Sequence, residues 1–387
     1  MLKKVLLIVL SVLLAATVMT GCGNTPSENN KQVQTESTKS YPPIDLNPRE
    51  ALSVSPEGIK AVAPSALSLT NEEIEQLKKG KYKVAFSYHT LSDQCNQRKL
   101  AAAKEALASW GIDVVSVTAA EFKAEAQVSD IESALALKPD VLFVMPVDPH
   151  SVAGALEKVK GTKTKIVFME NVAAGYKAGV DYLGSASSDS YGNGKAAADI
   201  MAQQLGYKGK VAMMFYDMDY FVTNERDRGF RETIKNNYPN IEIVMEAGFT
   251  NVNNTGAVAD AIFAKYPDIN GIYATWDVPA EGAIASARSL GRNDVIITTC
   301  DLGDNAARLI AEDGMIRGTG APRSAEQGKA EALIAAYGLL GKKLPSTFVT
   351  PPALPVVKAN VLEAYKMSYG VEAPQALVDI VKQHKNN

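Results

Sequence analysis

The sequence predicts an α/β protein of two lobes, each built on a doubly wound parallel β-sheet. From Tyr82 onward, short apolar runs alternate with segments of helical spacing. The runs are continuous rather than alternating, as is typical of parallel strands that helices cover on both faces. Eight such pairs of an apolar run and a helical segment are more than one domain usually contains, which favours two lobes. The runs are 84–88, 112–117, 141–145, 166–169, 211–215, 241–245, 271–275 and 295–299.

Helical periodicity supports the segments between the runs. In the first of them, Ala103 and Leu107 lie four residues apart and therefore share one helix face. A shorter helix is expected before the first run, because Thr70 and Glu73 have the spacing of a capping box. Gly80 is the expected end of that helix.

The first 22 residues predict a secreted protein with a lipid anchor. Lys3 and Lys4 precede an apolar run, 5–18, that is shorter than the roughly 20 residues needed to span a bilayer. Cys22 directly follows a Thr-Gly pair, which resembles the lipobox of bacterial lipoproteins, where the cysteine becomes the lipidated N-terminus. An ordinary secretory signal with an incidental cysteine is the alternative.

Composition excludes several classes of function. The formal charge of −3 becomes −5 once residues 1–21, with two lysines and no acidic residue, are removed. Such a chain lacks the basic surface that nucleic acid requires. Only Cys95 and Cys300 remain besides Cys22, so we expect no disulfide framework and interpret both as reduced packing residues. The three histidines lack metal-ligand spacing, and no metal or other cofactor is expected.

Enzyme motifs are absent as well. The patterns GxSxG and HExxH do not occur, and GNGK (192–195) lacks the upstream Gly and the following Ser or Thr of a phosphate loop. The remaining enzymatic alternative is a glycosidase in which Asp93 and Asp301 form the carboxylate pair. We therefore expect a binding protein rather than an enzyme.

Polar residues that directly follow the apolar runs mark the expected ligand site. Open parallel sheets bind ligands beyond the carboxyl ends of their strands. For any single Asp or Ser at such a turn the alternative is a helix N-cap, and we interpret Asp148 and Asp189 in that way. The candidates at these ends are Ser92, Asp93, Asn96, Glu170, Asn171, Trp276, Asp277 and Asp301.

The octet TNERDRGF (223–230) adds an arginine from a helix start. If Phe230 and Ile234 lie on the buried stripe of a helix over 222–237, Arg226 shares that stripe, because positions four apart lie on one face. A buried guanidinium requires acceptors. Arg226 either pairs with a buried carboxylate such as Asp301, or both residues converge on a polar ligand; the two interpretations are compatible.

Several motifs together carry a resemblance to a known family. From Tyr82 to about Leu354, the sequence resembles the ribose-type periplasmic sugar-binding proteins, the type I solute-binding components of ABC importers. The motifs are YHTLSDQCNQ (88–97), VMPVDP (144–149), SSDSYGNGKAAADIMAQQLG (187–206), NERDRGF (224–230) and TTCDLGD (298–304). Their order and spacing agree together, which is more specific than any one motif.

The resemblance implies a set of ligand-binding positions. In that family, the arginine and the aspartate that match Arg226 and Asp301 contact sugar hydroxyls. The positions that match Asp93, Asn171 and Trp276 also line the cleft between the lobes.

Departures from the family pattern bear on the ligand. Two aromatic residues that sandwich the sugar in the ribose proteins are replaced here by Cys95 and Asn96, and their Asp-Arg pair by Glu170-Asn171. The position of Trp276 is Asn in them. We therefore expect ring stacking on Trp276 and Phe249, and a different aldose, a deoxysugar such as rhamnose, or a polyol in place of ribose. For Trp276, packing between the lobes is the alternative.

The resemblance also implies the domain organisation, in which the chain crosses between the lobes near 186–189, 320–322 and 350–355. Residues 23–45 are polar and poor in bulky apolar side chains, which is typical of a tether. The expected divisions are a signal peptide (1–21), a tether with an N-terminal extension (22–69), a first lobe (70–187 plus 322–352) and a second lobe (188–321 plus 353–387).

The function that these expectations describe is capture of a small solute outside the cytoplasm. A monomeric receptor, lipid-anchored on the outer face of the cell membrane (the periplasmic side in a Gram-negative cell), closes around a monosaccharide or polyol and delivers it to ABC permease subunits. The alternative is a sensing module for a chemoreceptor, a histidine kinase or a quorum-signal pathway. The signal peptide excludes a transcription factor of the same two-lobed family.

Overall fold

The computed structural model describes residues 41–385, and from Ile44 onward these belong to one compact unit. The expected signal peptide (1–21), the lipidation site Cys22 and most of the tether lie outside the described residues. Within them, the chain forms two six-stranded sheets. The strands are β1 (Lys83–Tyr88), β2 (Asp113–Ala119), β3 (Val141–Val144), β4 (Lys165–Met169), β5 (Gly184–Ala186), β6 (Gly209–Tyr216), β7 (Ile241–Phe249), β8 (Gly271–Ala274), β9 (Ile296–Cys300), β10 (Ile316–Ala321), β11 (Phe348–Val349) and β12 (Leu354–Val357).

The two sheets have matching strand orders. The first is β11-β5-β4-β3-β1-β2 and the second is β12-β10-β9-β8-β6-β7. All neighbours are parallel except β12, which runs antiparallel to β10 at the edge of the second sheet. An edge position accommodates Pro355, which has no N–H to donate to a neighbouring strand. The predicted fold class, two doubly wound α/β lobes, is confirmed.

Helices cover both faces of each sheet. Alternate residues of β1 show this directly: Phe86 packs in a cluster with Leu107, whereas Ala85 packs in a different cluster with Ile131. The helices are α1 (Asn71–Gly80), α2 (Gln94–Ser109), α3 (Ala124–Ala136), α4 (Ser151–Leu156), α5 (Ser190–Gln204), α6 (Phe221–Asn237), α7 (Thr255–Lys265), α8 (Asp277–Ser289), α9 (Asp304–Ala311), α10 (Ser324–Leu340), α11 (Val361–Tyr369) and α12 (Gln375–Lys385).

The capping box of α1 is present as predicted, with Thr70 and Glu73 exchanging hydrogen bonds at 2.8 and 3.3 Å. The helix ends at Gly80, as predicted. Lys81 then takes the left-handed conformation with φ of 50°. A Cβ at Gly80 would come within 2.1 Å of the Tyr82 ring, so the glycine makes room for that ring.

A close approach of α5 and α6 positions the start of α6. A Cβ at Gly194 would lie 1.8 Å from the carbonyl oxygen of Arg226, so the two backbones touch where only glycine fits. Phe230 and Ile234, 0 and 1% exposed, then occupy the core, and Phe230 stacks on Tyr273 with ring centroids 4.2 Å apart. Arg226, one turn earlier, therefore faces inward.

The chain passes between the sheets three times, after β5, after β10 and after β11. We name these crossings 1 (187–189), 2 (322–323) and 3 (350–353). Of the last helices, α11 packs against β12 and α12 against α9. The lobe boundaries given above stay a prediction.

Candidate functional site

A cavity of about 390 Å³ lies between the two lobes, within the usual range of roughly 300–1,000 Å³ for small-molecule sites. We call it the cleft. Its walls come mainly from residues that follow the carboxyl ends of strands in both sheets. Among the lining residues are His89, Asp93, Cys95, Asn96, Lys99, Phe122, Glu170, Tyr216, Tyr220, Arg226, Trp276, Asp277 and Asp301.

Arg226 and Asp301 form a two-pronged ion pair in the wall of the second lobe. Nη1 and Nη2 of the arginine donate to the two carboxylate oxygens at 3.0 and 2.7 Å. Arg226 is 6% exposed, whereas the Asp301 side chain keeps 17% of its surface accessible. The predicted inward arginine and its predicted partner are therefore present, with the carboxylate edge open to the cleft.

The backbone at Asp301 is held in an uncommon conformation. Its φ of +68° lies in the left-handed region, which Asp visits more readily than most residues. Thr319 Oγ1 donates to the Asp301 carbonyl at 2.7 Å, and the Asp301 N–H donates to Gly320 at 3.2 Å. These bonds from β10 fix the direction in which the carboxylate leaves the sheet.

The other charges of the octet separate into surface and interior. Arg228 pairs with Glu225 and Glu232 on the outer face of α6. Asp227 is buried instead, and burial raises the pKa of its carboxyl to about 7, more than hydrogen bonds from Thr275 and Tyr273 lower it. The octet thus directs Arg226 and Asp227 inward, and only Arg226 reaches the cleft.

A second buried ion pair, Lys99 with Glu170, lies in the wall of the first lobe. Gln327 also donates to Oε1 of Glu170 at 3.0 Å, and Ser187 and Ser188 donate to Oε2 at 2.9 to 3.1 Å. Burial alone raises the pKa of Glu170, but Lys99 and the other donors outweigh it and hold the pKa at about 2. Both oxygens of Glu170 are thus occupied by protein donors, although sequence reasoning placed this residue among the ligand contacts.

Asp93 and Asn96 lie together on the first-lobe wall. Asp93 caps α2 by accepting the Asn96 N–H at 2.7 Å, and the Asn96 amide donates to the other carboxylate oxygen at 2.7 Å. Burial raises the pKa of Asp93 more than the Asn96 N–H lowers it. Asp93 therefore carries out the capping role that was its alternative and lines the cleft as well.

Asp277 is one of the strand-end candidates, although the family resemblance does not place it among the cleft contacts. Its carboxylate accepts the Gly303 N–H at 2.7 Å, and it lines the cleft. Burial, followed by repulsion from Asp301, raises its pKa to about 7. Asp93, Asp277 and Asp301 thus supply carboxylates from three strand ends, which suits acceptance of hydrogen bonds from hydroxyl groups.

Trp276 is the aromatic residue of the second-lobe wall, and two rings support it. Tyr216 meets it edge-on with centroids 5.5 Å apart, and Phe249 packs against it at 5.4 Å. Phe249 is 3% exposed and belongs to the second-lobe core rather than to the cleft lining. The structure corrects the expectation that Phe249 stacks on the ligand, because this ring is buried in the core and does not line the cleft.

Asn171 and Cys300 also lie behind the cleft wall rather than in it. Asn171 is 1% exposed, and its amide points to the Pro146 carbonyl at 3.5 Å. Cys300 is buried 3.8 Å from the Tyr273 hydroxyl, whereas Cys95 lines the cleft. Both thiols are free, in line with the interpretation of reduced cysteines, and burial raises the pKa of each.

Several contacts join the two lobes beside the cleft, including a hydrogen bond of 2.7 Å from Gln94 to the Tyr365 hydroxyl of α11 and a contact of 3.7 Å between Cys95 and the Tyr369 hydroxyl. Gln94 of α2 exchanges hydrogen bonds of 3.0 and 3.1 Å with Asp304 of α9. The Tyr220 hydroxyl lies 3.4 Å from Nε2 of His89, and burial lowers the pKa of this histidine to about 3, so the ring is neutral near pH 7. We call this the closed arrangement.

Sequence reasoning missed Lys99, His89, Tyr216 and Tyr220. Tyr216 directly follows the apolar run 211–215, so the strand-end rule that selected its neighbours also selects it. Lys99 lies four residues after Cys95 on the same helix face, which gives it the same direction. His89 directly follows the run 84–88, so the strand-end rule also selects it, whereas no local pattern indicates Tyr220, which lies just before α6.

Of the two predicted N-caps, Asp189 caps α5, whereas the N-cap of α4 is His150 and Asp148 lies two residues before it. Asp148 accepts the N–H groups of His150 and Ser151 at 2.9 and 2.8 Å, and Asp189 accepts that of Gly192 at 3.1 Å. Within 41–385, no cluster of three or more His, Cys, Asp or Glu side chains has an arrangement that holds a metal ion. No helix in that part of the chain has the length and hydropathy needed to cross a bilayer.

Comparison with known proteins shows which family and which proteins the chain is similar to. Residues 84–343 match the family described as "Periplasmic binding protein domain". The ribose import binding protein of Bacillus subtilis is 27% identical over 248 residues, covering 64% of this chain and 78% of that protein. The D-apiose import binding protein of Actinobacillus succinogenes is 25% identical over 191 residues, covering 49% of this chain and 60% of that protein.

Solved structures show the same fold. A solute-binding protein of an ABC transporter from Agrobacterium vitis, bound to alpha-D-tagatopyranose, superposes with a TM-score of 0.68 at 21% identity, covering 76% of this chain and all of that one. One from Mycobacterium smegmatis with bound glycerol gives 0.65 at 24% identity, covering 73% of this chain and 96% of that one.

Proposed function

The chain belongs to the periplasmic binding protein domain family, and from this premise we propose that it captures a monosaccharide or related polyol between its lobes for an ABC permease. The observation that carries the proposal is the Arg226–Asp301 pair in the cleft wall. A pre-oriented guanidinium and carboxylate offer donors and acceptors side by side, as a pair of adjacent hydroxyl groups requires.

The remaining cleft chemistry supports a neutral, polyhydroxylated ligand. The Lys99 and Arg226 charges are already paired with carboxylates, so the wall offers no unpaired cation for an anionic group among its described basic residues. Asp93 and Asp277 add acceptors, and Trp276 adds a flat apolar face for the C–H side of a sugar ring. The names of the relatives, which import ribose and D-apiose, agree with this chemistry.

Isothermal titration calorimetry of the purified protein tests the proposal. The panel is pentoses, hexoses, deoxyhexoses such as rhamnose, and polyols, with sugar phosphates as the charged comparison. We expect saturable heat with at least one neutral member, at roughly micromolar affinity or better, as a ligand of about ten heavy atoms allows. Absence of heat with every neutral member, or binding of the phosphates alone, contradicts the proposal.

We further propose that residues 1–21 are removed and that Cys22 anchors the protein in the membrane, with the lobes divided as given in the sequence analysis. Metabolic labelling with a radioactive fatty acid tests the anchor. The label is expected on the wild-type protein and absent from Cys22→Ser, which should appear in the medium or the periplasm. Incorporation by both proteins contradicts the assignment.

The family's function is binding, and we propose that this chain also binds without catalysis. Both Asp301 oxygens accept hydrogen bonds from Arg226 and both Asp93 oxygens accept from Asn96, an arrangement that suits binding of hydroxyl groups rather than nucleophilic attack. Incubation with aryl glycosides is expected to release no aglycone. Release that Asp301→Asn abolishes contradicts this part of the proposal.

A further inference from the structure

The segment 47–62, which we call the strap, precedes the region that matches the family and contacts all three crossings. It runs along the outside of the hinge rather than into the cleft, since none of its residues lines the cleft. Sequence reasoning assigned it only to an N-terminal extension. Its contacts are concentrated on two hinge residues, Asp189 of crossing 1 and Arg323 of crossing 2.

Asp189 joins the strap to crossings 1 and 3. Besides capping α5, its carboxylate accepts the N–H of Leu52 at 3.0 Å and both the N–H and the hydroxyl of Ser53 at 2.9 Å. It also accepts the N–H of Ala353 at 3.2 Å. With Asp189 at 2% and Ser53 at 1% exposure, these bonds are shielded from water, which strengthens hydrogen bonds to a charged group.

The Ser53 hydroxyl has a second bond that reaches the second lobe. It accepts the N–H of Tyr191, in the first turn of α5, at 3.1 Å. One side chain of the strap thus bonds both to the crossing residue Asp189 and to the helix that continues into the second sheet.

Arg323 joins the strap to crossings 2 and 3. Its Nη2 donates to Oδ1 of Asn47 at 2.8 Å and to the Pro48 carbonyl at 3.3 Å. Its Nε donates to the Pro352 carbonyl in crossing 3 at 3.0 Å. Arg323 is 7% exposed, so its donors depend on these partners and on Glu326, whose carboxylate lies 3.7 Å from Nη1.

The other end of the strap is fixed to the first lobe. Residues 54–60 form a tight turn, and Glu57 accepts the Tyr182 hydroxyl at 3.1 Å. Val62 then pairs in parallel with Val349, accepting the Thr350 N–H at 2.9 Å, and so extends the edge of the first sheet. The strap therefore spans from the first sheet, across the crossings, to the start of α5.

We propose that the strap is a brace that stabilises the closed arrangement of the hinge. Hinge closure changes backbone dihedral angles within the crossings, and bonds that tie all three to one external segment oppose that change. The bonds at Asp189 and Arg323 coexist with the cleft contacts Gln94–Asp304 and His89–Tyr220. Weakening the strap should therefore shift the equilibrium toward the open arrangement without altering any cleft residue.

The test measures lobe separation in the full chain without ligand, so its outcome does not depend on the proposed sugar. Lys123→Cys and Asn253→Cys place spin labels on exposed residues beside the cleft-lining Phe122 and Val252. Cys95 and Cys300 are buried, and Cys22→Ser is included throughout. Pulsed electron resonance then gives the distribution of distances between the lobes.

The strap variants are Ser53→Ala and Asn47→Ala, and the control is Ser65→Ala, an exposed serine that follows the strap in the chain. Ser53→Ala removes the hydroxyl bonds to Asp189 and Tyr191, and Asn47→Ala removes the bond from the Arg323 guanidinium. Each change is expected to raise the ratio of long to short distances about fivefold. The control should match the parent distribution. Near-ultraviolet circular dichroism checks folding, and Asn47→Ala, at an exposed site, decides the question if Ser53→Ala does not fold.

Unchanged distance distributions in the folded strap variants, or a shift toward shorter distances, overturn the proposal. In that case the strap would only add stability, lowering the melting temperature when it is weakened but leaving the two lobes in the same equilibrium. A parent protein with no short-distance population also overturns it, because a brace of the closed arrangement must act without ligand.

Discussion

The two buried ion pairs of the cleft, Lys99–Glu170 and Arg226–Asp301, have related positions but different surroundings. Each acidic residue follows the last residue of a central strand, with a left-handed φ of 59° for Glu170 and 68° for Asp301. In the first lobe, donors from α2, α10 and crossing 1 occupy both carboxylate oxygens. In the second, the pair is exposed on one edge and the Arg226 Nε has no protein partner.

We propose that this difference separates a structural ion pair from one that binds the ligand. The Glu170 side chain is 4% exposed and that of Asp301 17%, so the second pair presents the more accessible acceptors to the cleft. The charge and the position alone do not assign a role. The number of protein donors that already satisfy the carboxylate does.

The largest expected effect comes from breaking the Lys99–Glu170 ion pair. Lys99→Met leaves the buried Glu170 charge without its cation, and we expect the free energy of unfolding to fall by about 3–5 kcal/mol. Urea denaturation followed by circular dichroism measures it. The control Lys158→Met breaks the exposed pair with Glu132 and should cost less than about 1 kcal/mol. Equal losses in the two variants contradict the structural role of Glu170.

The next effect concerns the binding pair. Arg226→Lys keeps the positive charge but loses the fork that holds both Asp301 oxygens, and we expect ligand affinity to fall about 30-fold, or about 2 kcal/mol. Calorimetry with the sugar found in the panel measures the change. Arg231→Lys on the same helix, which pairs with Glu246 at the surface, is the control and should bind as the wild type does. Wild-type affinity in Arg226→Lys would show that the ligand does not use this pair.

Glu331, a buried neighbour of the Lys99–Glu170 pair, predicts that the free energy of unfolding depends on pH. Burial raises the pKa of Glu331 to about 8, against its ordinary value of 4.5, and the cation Lys99 is already paired with Glu170. Between these two values the folded protein binds more protons than the unfolded chain, so this group makes stability fall as pH rises. Glu331→Gln should lack this component, which amounts to at most about 1.4 kcal/mol per pH unit.

The measurement is the free energy of unfolding at pH 6 and at pH 7 for the wild type, Glu331→Gln and the exposed control Glu363→Gln. The free energy of unfolding of Glu331→Gln relative to that of the wild type should rise from pH 6 to pH 7. The control should show the same change with pH as the wild type. Parallel slopes for all three proteins would mean that Glu331 ionises normally in the fold.

The smallest expected effect is on ligand affinity and concerns Trp276. Trp276→Phe keeps an aromatic face against Tyr216 and Phe249 but reduces its area, and we expect an affinity loss of about tenfold. The control is Trp110→Phe in the first lobe, where the indole packs against the core behind α2. Ligand should change the intrinsic fluorescence of the wild type and of Trp110→Phe. A fluorescence change that persists in Trp276→Phe contradicts contact between the indole and the sugar.

Much of the fold could be predicted because the apolar runs of its central strands are buried on both faces. The strands that the sequence did not predict, such as Gly184–Ala186 and Ile316–Ala321, are short or rich in Gly, Thr and Ala. They form strands because neighbouring strands pair with them. Hydrophobic periodicity does not detect such segments.

The site was predictable where one element decides the direction of a side chain. Arg226 follows from helical spacing to Phe230, and Asp301 from its place after a strand. Phe249 is the last residue of β7 and Asn171 comes shortly after β4, yet Phe249 is buried in the core and the Asn171 amide points to the Pro146 carbonyl. Which side chains face the cleft depends on contacts between elements far apart in sequence. The number of hydrogen-bond donors at Glu170 depends on such contacts as well.

A crystal structure with the sugar identified by calorimetry tests the central claim most directly. We predict hydroxyl oxygens within about 3 Å of both Arg226 and Asp301, with the Glu170 carboxylate still bound by Lys99, Ser187 and Ser188. A sugar that contacts Glu170 in place of Lys99, or that lies away from Arg226 and Asp301, would contradict the account.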